Sequence, residues 1–64
     1  MIAINPELII KARKDAGLTQ SQAANLINSS VRAWQYWEAG DRAMKPAFFE
    51  LFTIKIAGVK KAIN

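Results

Sequence analysis

The sequence predicts an all-α fold built from four short helices. All three glycines and both prolines stand where a helix would begin or end. Proline is favoured at the first position of a helix, and glycine just after its last residue. No segment alternates cleanly between apolar and polar residues, and no Asn-Gly or Asp-Gly pair marks a hairpin turn. The predicted helices span about residues 6–16, 20–27, 31–39 and 46–57.

The first helix has a start signal and a stop signal. Asn5 can cap its amino end, and Pro6 suits the first helical position. Glu7 meets the positive end of the helix dipole and is placed to pair with Lys11 one turn later. Gly17 can adopt the left-handed conformation that ends a helix.

The second and third helices follow the same rules. Thr19 and Gln22 have the spacing of a capping box at the start of the second helix. Asn28 tolerates a left-handed backbone in the turn that follows, and either Ser29 or Ser30 can cap the third helix. Gly40 then ends the third helix.

The fourth helix is predicted to open at Pro46 and to end before Gly58. Residues 1–58 would then form the domain, and residues 59–64 a basic C-terminal tail. This helix is apolar on nearly every side, which predicts that it is buried on more than one side.

The third helix shows which of its faces points inward. Trp34 and Trp37 lie three residues apart, so they share one face and are expected in the core. The other predicted core residues of the first three helices are Ile9, Ala12, Ala16, Leu18, Ala23, Ala24 and Ile27.

The composition limits the classes of function that this chain is expected to have. The chain has 64 residues, which is one small domain, and it contains neither Cys nor His. We therefore expect no enzyme activity, no metal and no cofactor. The net charge of +4 favours a polyanionic partner. A hydrophobic content of 52% is more than so short a chain buries easily, which favours oligomerisation.

No segment reads as a targeting or membrane-spanning sequence. The longest apolar stretch, residues 47–59, is too short for a bilayer and carries Glu50 and Lys55. We expect a cytoplasmic protein with no membrane partner and no small-molecule ligand.

About a third of the chain carries a more specific pattern. It opens with Leu18-Thr19-Gln20, has Ala24 five residues after the Thr, and closes with Trp37-Glu38-Ala39-Gly40. This pattern resembles the helix-turn-helix of the lambdoid phage repressor and Cro family, also called the xenobiotic-response-element type. The resemblance implies a lambda-repressor-like domain with a central helix-turn-helix.

Four positions depart from the family pattern. Asn28 replaces the usual turn glycine, and Ser29 replaces the apolar residue after it. Trp34 stands where the family has Ile or Val, and Leu26 where it is usually charged. These departures affect details of the core more than the fold.

The resemblance implies a sequence-specific binding protein for double-stranded DNA, with its third helix in the major groove. Arg binds guanine, Gln binds adenine and Val can meet a thymine methyl, which suits the outward residues of that helix. The implied base-reading residues are Val31, Arg32, Gln35 and Tyr36. The implied phosphate-binding residues are Thr19, Gln20, Ser30, Arg42 and Lys45. The alternative is an ordinary solvated polar face.

One such domain covers only a few base pairs, so a homodimer reading an inverted repeat is expected. The fourth helix is the predicted interface, through Phe49, Phe52 and Ile56. The resemblance implies a transcriptional regulator that acts as a repressor. In the alternative, the chain is an antitoxin-type protein whose fourth helix binds a partner protein.

Arg13 has two possible roles that the sequence leaves open. In some relatives an Arg near the end of the first helix pairs with the Glu of the Trp-Glu-x-Gly pattern, here Glu38. Otherwise Arg13 is free to contact DNA.

Overall fold

Residues 4–63 are described by the computed structural model, with side chains described for residues 4–58. This part of the chain is all-α, as predicted, and contains four helices. They are α1 (Pro6–Asp15), α2 (Gln20–Leu26), α3 (Val31–Ala39) and α4 (Pro46–Ile63). α1 and α2 both pack on α3, and α2 also contacts α4. None of the helices described here is long and apolar enough to cross a membrane.

The predicted caps begin the first three helices. The side chain of Asn5 accepts a 2.7 Å hydrogen bond from the amide three residues later. Thr19 and Gln22 form the capping box, because each side chain bonds the backbone amide of the other, at 3.1 and 2.9 Å. Ser30 accepts from the amide three residues later, at 3.1 Å. Local sequence therefore sets where these helices start.

Three residues with positive φ separate the first three helices and end the third. They are Gly17 at 72°, Asn28 at 56° and Gly40 at 83°. An Asn or Gly is required at such positions because a left-handed backbone is costly for most side chains. The turn predictions at all three positions are confirmed.

The predicted pair between Glu7 and Lys11 is wrong. The Lys11 ammonium instead lies 3.0 Å from the carboxylate of Asp15, one turn further along α1. Asp15 stands at the carboxyl end of the helix, where its negative charge opposes the dipole, so a neighbouring cation stabilises it there.

The fourth helix is longer than predicted. It continues through Gly58 to Ile63, so the predicted end at residue 57 is wrong, and residues 59–63 of the predicted basic tail are helical. Gly58 does not have positive φ. A glycine ends a helix only when it adopts the left-handed conformation, and inside a helix it costs about 1 kcal/mol.

The core is built around Trp34, which is completely buried. The Trp34 ring lies 4.8 Å from that of Phe52 and 5.7 Å from that of Trp37, measured between centroids. The remaining buried residues are Ile9, Ala23, Ala24, Ile27 and Met44. The predicted core is confirmed for six of its residues, while Ala12, Ala16 and Leu18 are half-buried. Met44, in the loop before α4, is an additional core residue.

Of the three residues predicted at the dimer interface, the orientation of α4 rules out Phe52. Phe52 is completely buried against Trp34, so it cannot contact a second chain. Phe49 and Ile56 are half-buried and pack against the same core. Sequence alone could not orient α4, because this helix is apolar on almost every side.

The extended α4 predicts opposite effects of alanine at two glycines. Gly58→Ala should raise the free energy of unfolding by roughly 0.5–1 kcal/mol, because alanine favours helix. A Cβ at residue 58 meets nothing within 4 Å. Gly40→Ala should lower the free energy of unfolding by roughly 1–2 kcal/mol, since the φ angle of Gly40 is 83° and a left-handed backbone is costly for alanine. Urea unfolding of dilute protein measures both, and destabilisation by Gly58→Ala would argue against a helical residue 58.

Candidate nucleic-acid interface

The α2–α3 pair is held together by small residues and a tight turn. Ala23 and Ala24 are fully buried, which lets α2 approach α3 closely. In the turn, the backbone amide of Ser29 donates to the carbonyl of Ala24 at 2.9 Å. Ser29, which replaces an apolar residue of the family pattern, is half-buried and also donates its hydroxyl to that carbonyl at 3.4 Å.

The face of α3 opposite the two tryptophans is open to solvent. Val31 is 40% exposed, and Arg32 and Gln35 are exposed as well. Tyr36 is half-buried at the edge of this face. The four residues predicted to read bases are therefore together on α3.

The loop after α3 folds back onto the last turn of that helix. The amides of Asp41 and Arg42 both donate to the carbonyl of Tyr36, at 3.0 and 3.3 Å. The guanidinium of Arg42 lies over the Tyr36 ring, 4.8 Å from its centroid. This cation–π contact holds Arg42 beside the outward face of α3. Lys45 is exposed at the end of the same loop.

The three remaining residues predicted to bind phosphate already have roles within the fold. The hydroxyls of Thr19 and Ser30 cap α2 and α3. The amide nitrogen of Gln20 donates to a carboxylate oxygen of Glu38 at 2.9 Å. A capping hydroxyl at an exposed helix start still leaves backbone amides with positive partial charge, which favours an anion there.

Glu38 and Arg13 form a nearly buried ion pair. Arg13 Nε donates to Glu38 Oε2 at 2.6 Å, and Arg13 Nη2 donates to Glu38 Oε1 at 3.2 Å. The Arg13 side chain is 15% exposed and the Glu38 side chain 7%. A third donor of Arg13, Nη1, reaches the carbonyl of Leu18 at 2.9 Å. Of the two roles left open for Arg13, the structure shows the pairing with Glu38.

The same carboxylate also organises α2 and α3. Trp34 Nε1 donates to Glu38 Oε2, so the indole N–H is satisfied although the ring is buried. Gln20 donates to the other oxygen and accepts from Gln35 Nε2 at 3.5 Å. No local pattern in the sequence indicates this role of Gln20. The bond between Trp34 and Glu38 could have been predicted, because a buried indole N–H needs an acceptor and Glu38 lies one turn later.

The pKa of Glu38 reports the balance of forces on this carboxylate. Burial alone would raise the pKa of Glu38 above its ordinary value of 4.5. The hydrogen bonds from Arg13, Gln20 and Trp34, together with the charge of Arg13, outweigh burial and lower it. The folded protein therefore favours the ionised form of Glu38.

Part of a known methyltransferase is similar to this chain. A stretch of 53 residues, 83% of this chain, is 36% identical to part of the Type II methyltransferase M.MspI of Moraxella sp. The match covers 13% of the length of that methyltransferase. No protein-family model matches the chain.

The ion pair between Arg13 and Glu38 predicts that neutralising Glu38 alone strongly destabilises the folded protein. Glu38→Gln should lower the free energy of unfolding by about 3–5 kcal/mol, because it leaves the charge of Arg13 nearly buried and unpaired. Glu50→Gln is the matched control at an exposed carboxylate and should change stability by less than about 0.5 kcal/mol. Urea unfolding of dilute protein measures both, and equal effects would show that the pair contributes little.

The lowered pKa of Glu38 also predicts the acid sensitivity of the fold. Ionised Glu38 stabilises the folded state above the ordinary pKa of 4.5, and this contribution is lost as pH falls from there through the folded-state pKa. Wild type and Glu50→Gln should both lose stability over this range, and Glu38→Gln should lose less. The midpoint of urea unfolding, measured for each protein at a series of pH values, tests this. Parallel curves of midpoint against pH for all three proteins would contradict it.

Proposed function

We propose that this chain is a sequence-specific double-stranded DNA-binding protein of the lambdoid repressor and Cro type, which inserts α3 into the major groove. The observation that supports this most strongly is the exposed face of α3, built on a closely packed α2–α3 pair. Two tryptophans anchor one side of α3 in the core, while Val31, Arg32 and Gln35 are left at the surface. The 3.5 Å contact between Gln35 and Gln20 places the start of α2 beside this face.

The side chains on this face have the chemistry that reads base edges. Arg32 can donate two hydrogen bonds to O6 and N7 of guanine, and Gln35 can pair with N6 and N7 of adenine. Val31 can contact a thymine methyl group. Tyr36, which carries Arg42 over its ring, is placed to contact a base or a phosphate at the edge of the groove.

The distribution of charge supports a phosphate backbone as the partner. Among the described side chains, Lys11 and Arg13 are paired with carboxylates inside the chain. Arg32, Arg42 and Lys45 form no ion pair within the described residues and are exposed. Neutralising phosphates with such cations releases counterions and supplies much of the affinity for DNA. Asp41 lies in the same loop and reduces this attraction.

In this proposal the biological role is regulation of transcription by repression, with a dimer occupying an inverted repeat. Two copies would place their α3 helices in half-sites about one turn of DNA apart. We expect no methyltransferase activity from these 64 residues, because they match only 13% of the methyltransferase and contain neither Cys nor His. The chain would act as a binding protein.

A second candidate is supported by the surface of α4. Phe48, Leu51 and Ile54 are 40%, 38% and 60% exposed, which leaves three large apolar side chains at the surface of one helix. A protein that neutralises a partner, as antitoxins of this fold type do, would use such a surface.

The test of the main proposal is selection from a random pool of duplex DNA at physiological salt, followed by sequencing. We expect enrichment of an inverted repeat whose half-sites are one helical turn apart. Absence of any enriched sequence, from protein shown to be folded, would reject sequence-specific binding and favour the second candidate.

Two single variants then separate base reading from phosphate binding. Arg32→Ala should cost about 1–3 kcal/mol on the selected site and relax the preference at one base pair. Lys45→Ala should weaken binding to all sequences alike and reduce the slope of log affinity against log salt by about 1. Lys11→Ala removes the same charge from a side chain already paired with Asp15, and it controls for net charge. Equal losses for Arg32→Ala on specific and unrelated DNA would contradict a base-reading role.

A further inference from the structure

The fourth helix has a second apolar stripe on the side away from the core. Ala47, Leu51, Ile54 and Gly58 follow one another at intervals of four, three and four residues, and all four are exposed. We name these four residues the outer stripe. The half-buried and buried residues Phe49, Phe52 and Ile56 lie on the opposite side of the same helix. Alternating intervals of four and three are the spacing at which two helices pack side by side.

We propose that the outer stripe packs against the outer stripe of a second copy of this chain, with the two α4 helices parallel. The large residues of the stripe, Leu51 and Ile54, are 38% and 60% exposed in the single chain. Ala47 and Gly58 at its two ends are small, and a Cβ at Gly58 would meet nothing within 4 Å. Small residues at the ends let two backbones approach while Leu51 and Ile54 fill the centre.

The charges beside the outer stripe select the second copy as the occupant and set its direction. Glu50 precedes Leu51 on one edge of the stripe, and Lys55 follows Ile54 on the other edge. Both are exposed, and neither forms an ion pair within the described residues of its own chain. In a parallel pair of helices, a residue on one edge faces the residue five positions later on the partner. Glu50 of each copy therefore faces Lys55 of the other.

An antiparallel arrangement lacks this complementarity. It brings the two Glu50 edges together and the two Lys55 edges together, so like charges approach each other. A two-fold axis parallel to α4 forms the Glu50–Lys55 contact twice, which doubles the effect of each charge. The surface is therefore self-complementary in charge.

The outer stripe is short, so the dimer should be weak in free solution. A stable interface usually buries well over about 1,000 Å² in total, and a single stripe of four residues covers less. The use of this dimer rests on the proposed function, because two adjacent half-sites in DNA would favour the paired state by mass action. The dimer itself can be measured without DNA.

The experiment is sedimentation equilibrium of the full chain without DNA, from low micromolar to millimolar protein. Wild type should show a monomer–dimer equilibrium. Ile54→Lys should raise the dissociation constant by more than about tenfold, and Thr53→Gln, next to it but outside the stripe and without a new charge beside Glu50, should leave the constant nearly unchanged. Circular dichroism establishes that both variants remain folded, which is expected because both residues are exposed.

Charge reversal tests the direction of the helices. Glu50→Lys alone and Lys55→Glu alone should each weaken the dimer, on the order of tenfold, because both create like-charge contacts. The double variant carrying both changes should recover the wild-type dissociation constant. Failure of the double variant to recover would overturn the parallel pairing.

Two other outcomes would overturn the proposal as a whole. One is a wild-type chain that stays monomeric at every concentration, which would leave the outer stripe to a partner of different sequence. The other is a dimer that Ile54→Lys does not weaken. Failure of the DNA selection with an intact, charge-dependent dimer would instead reject the proposed function alone, so the two failures are distinguishable.

Discussion

The structure depends on one nearly buried carboxylate. Glu38 accepts hydrogen bonds from Arg13 of α1, Gln20 of α2 and Trp34 of its own helix, so it joins the first three helices. A charge with so little exposure is tolerated only when it is paired and fully hydrogen-bonded. Any shift of α1 or α2 relative to α3 would break at least one of these bonds. The carboxylate therefore selects one arrangement of the helices from the many that apolar packing alone would allow.

The same arrangement divides α3 into an inner face and an outer face. Trp34 and Trp37 are buried and attach the helix to the core, with Trp34 also packed on Phe52. The outer face is left free for Arg32 and its neighbours. Because Gln20 bonds both Glu38 and Gln35, the buried network continues to the surface of α3. In our proposal this network holds the base-reading side chains of α3 in position, since small displacements would misplace them in the groove.

The fourth helix is apolar on two opposite sides. Its buried side completes the core through Phe52, while its opposite side exposes Leu51 and Ile54. This accounts for a composition that is too apolar for so small a domain on its own. The continuation of α4 through Gly58 extends the exposed side, because glycine there is helical and adds no side chain. In our proposal, core and self-association share one helix.

The sequence by itself determined the positions of the first three helices, their caps and their turns. These features depend on contacts between residues no more than about four apart, such as the box of Thr19 and Gln22 or the left-handed Asn28. The sequence also identified the inward face of α3, because two tryptophans three residues apart leave one choice. Only the tertiary structure decided that Arg13 pairs with Glu38, that Gln20 joins them and that Phe52 is core. Those outcomes depend on contacts between distant residues and on the rotation of an almost uniformly apolar helix, which no local pattern specifies.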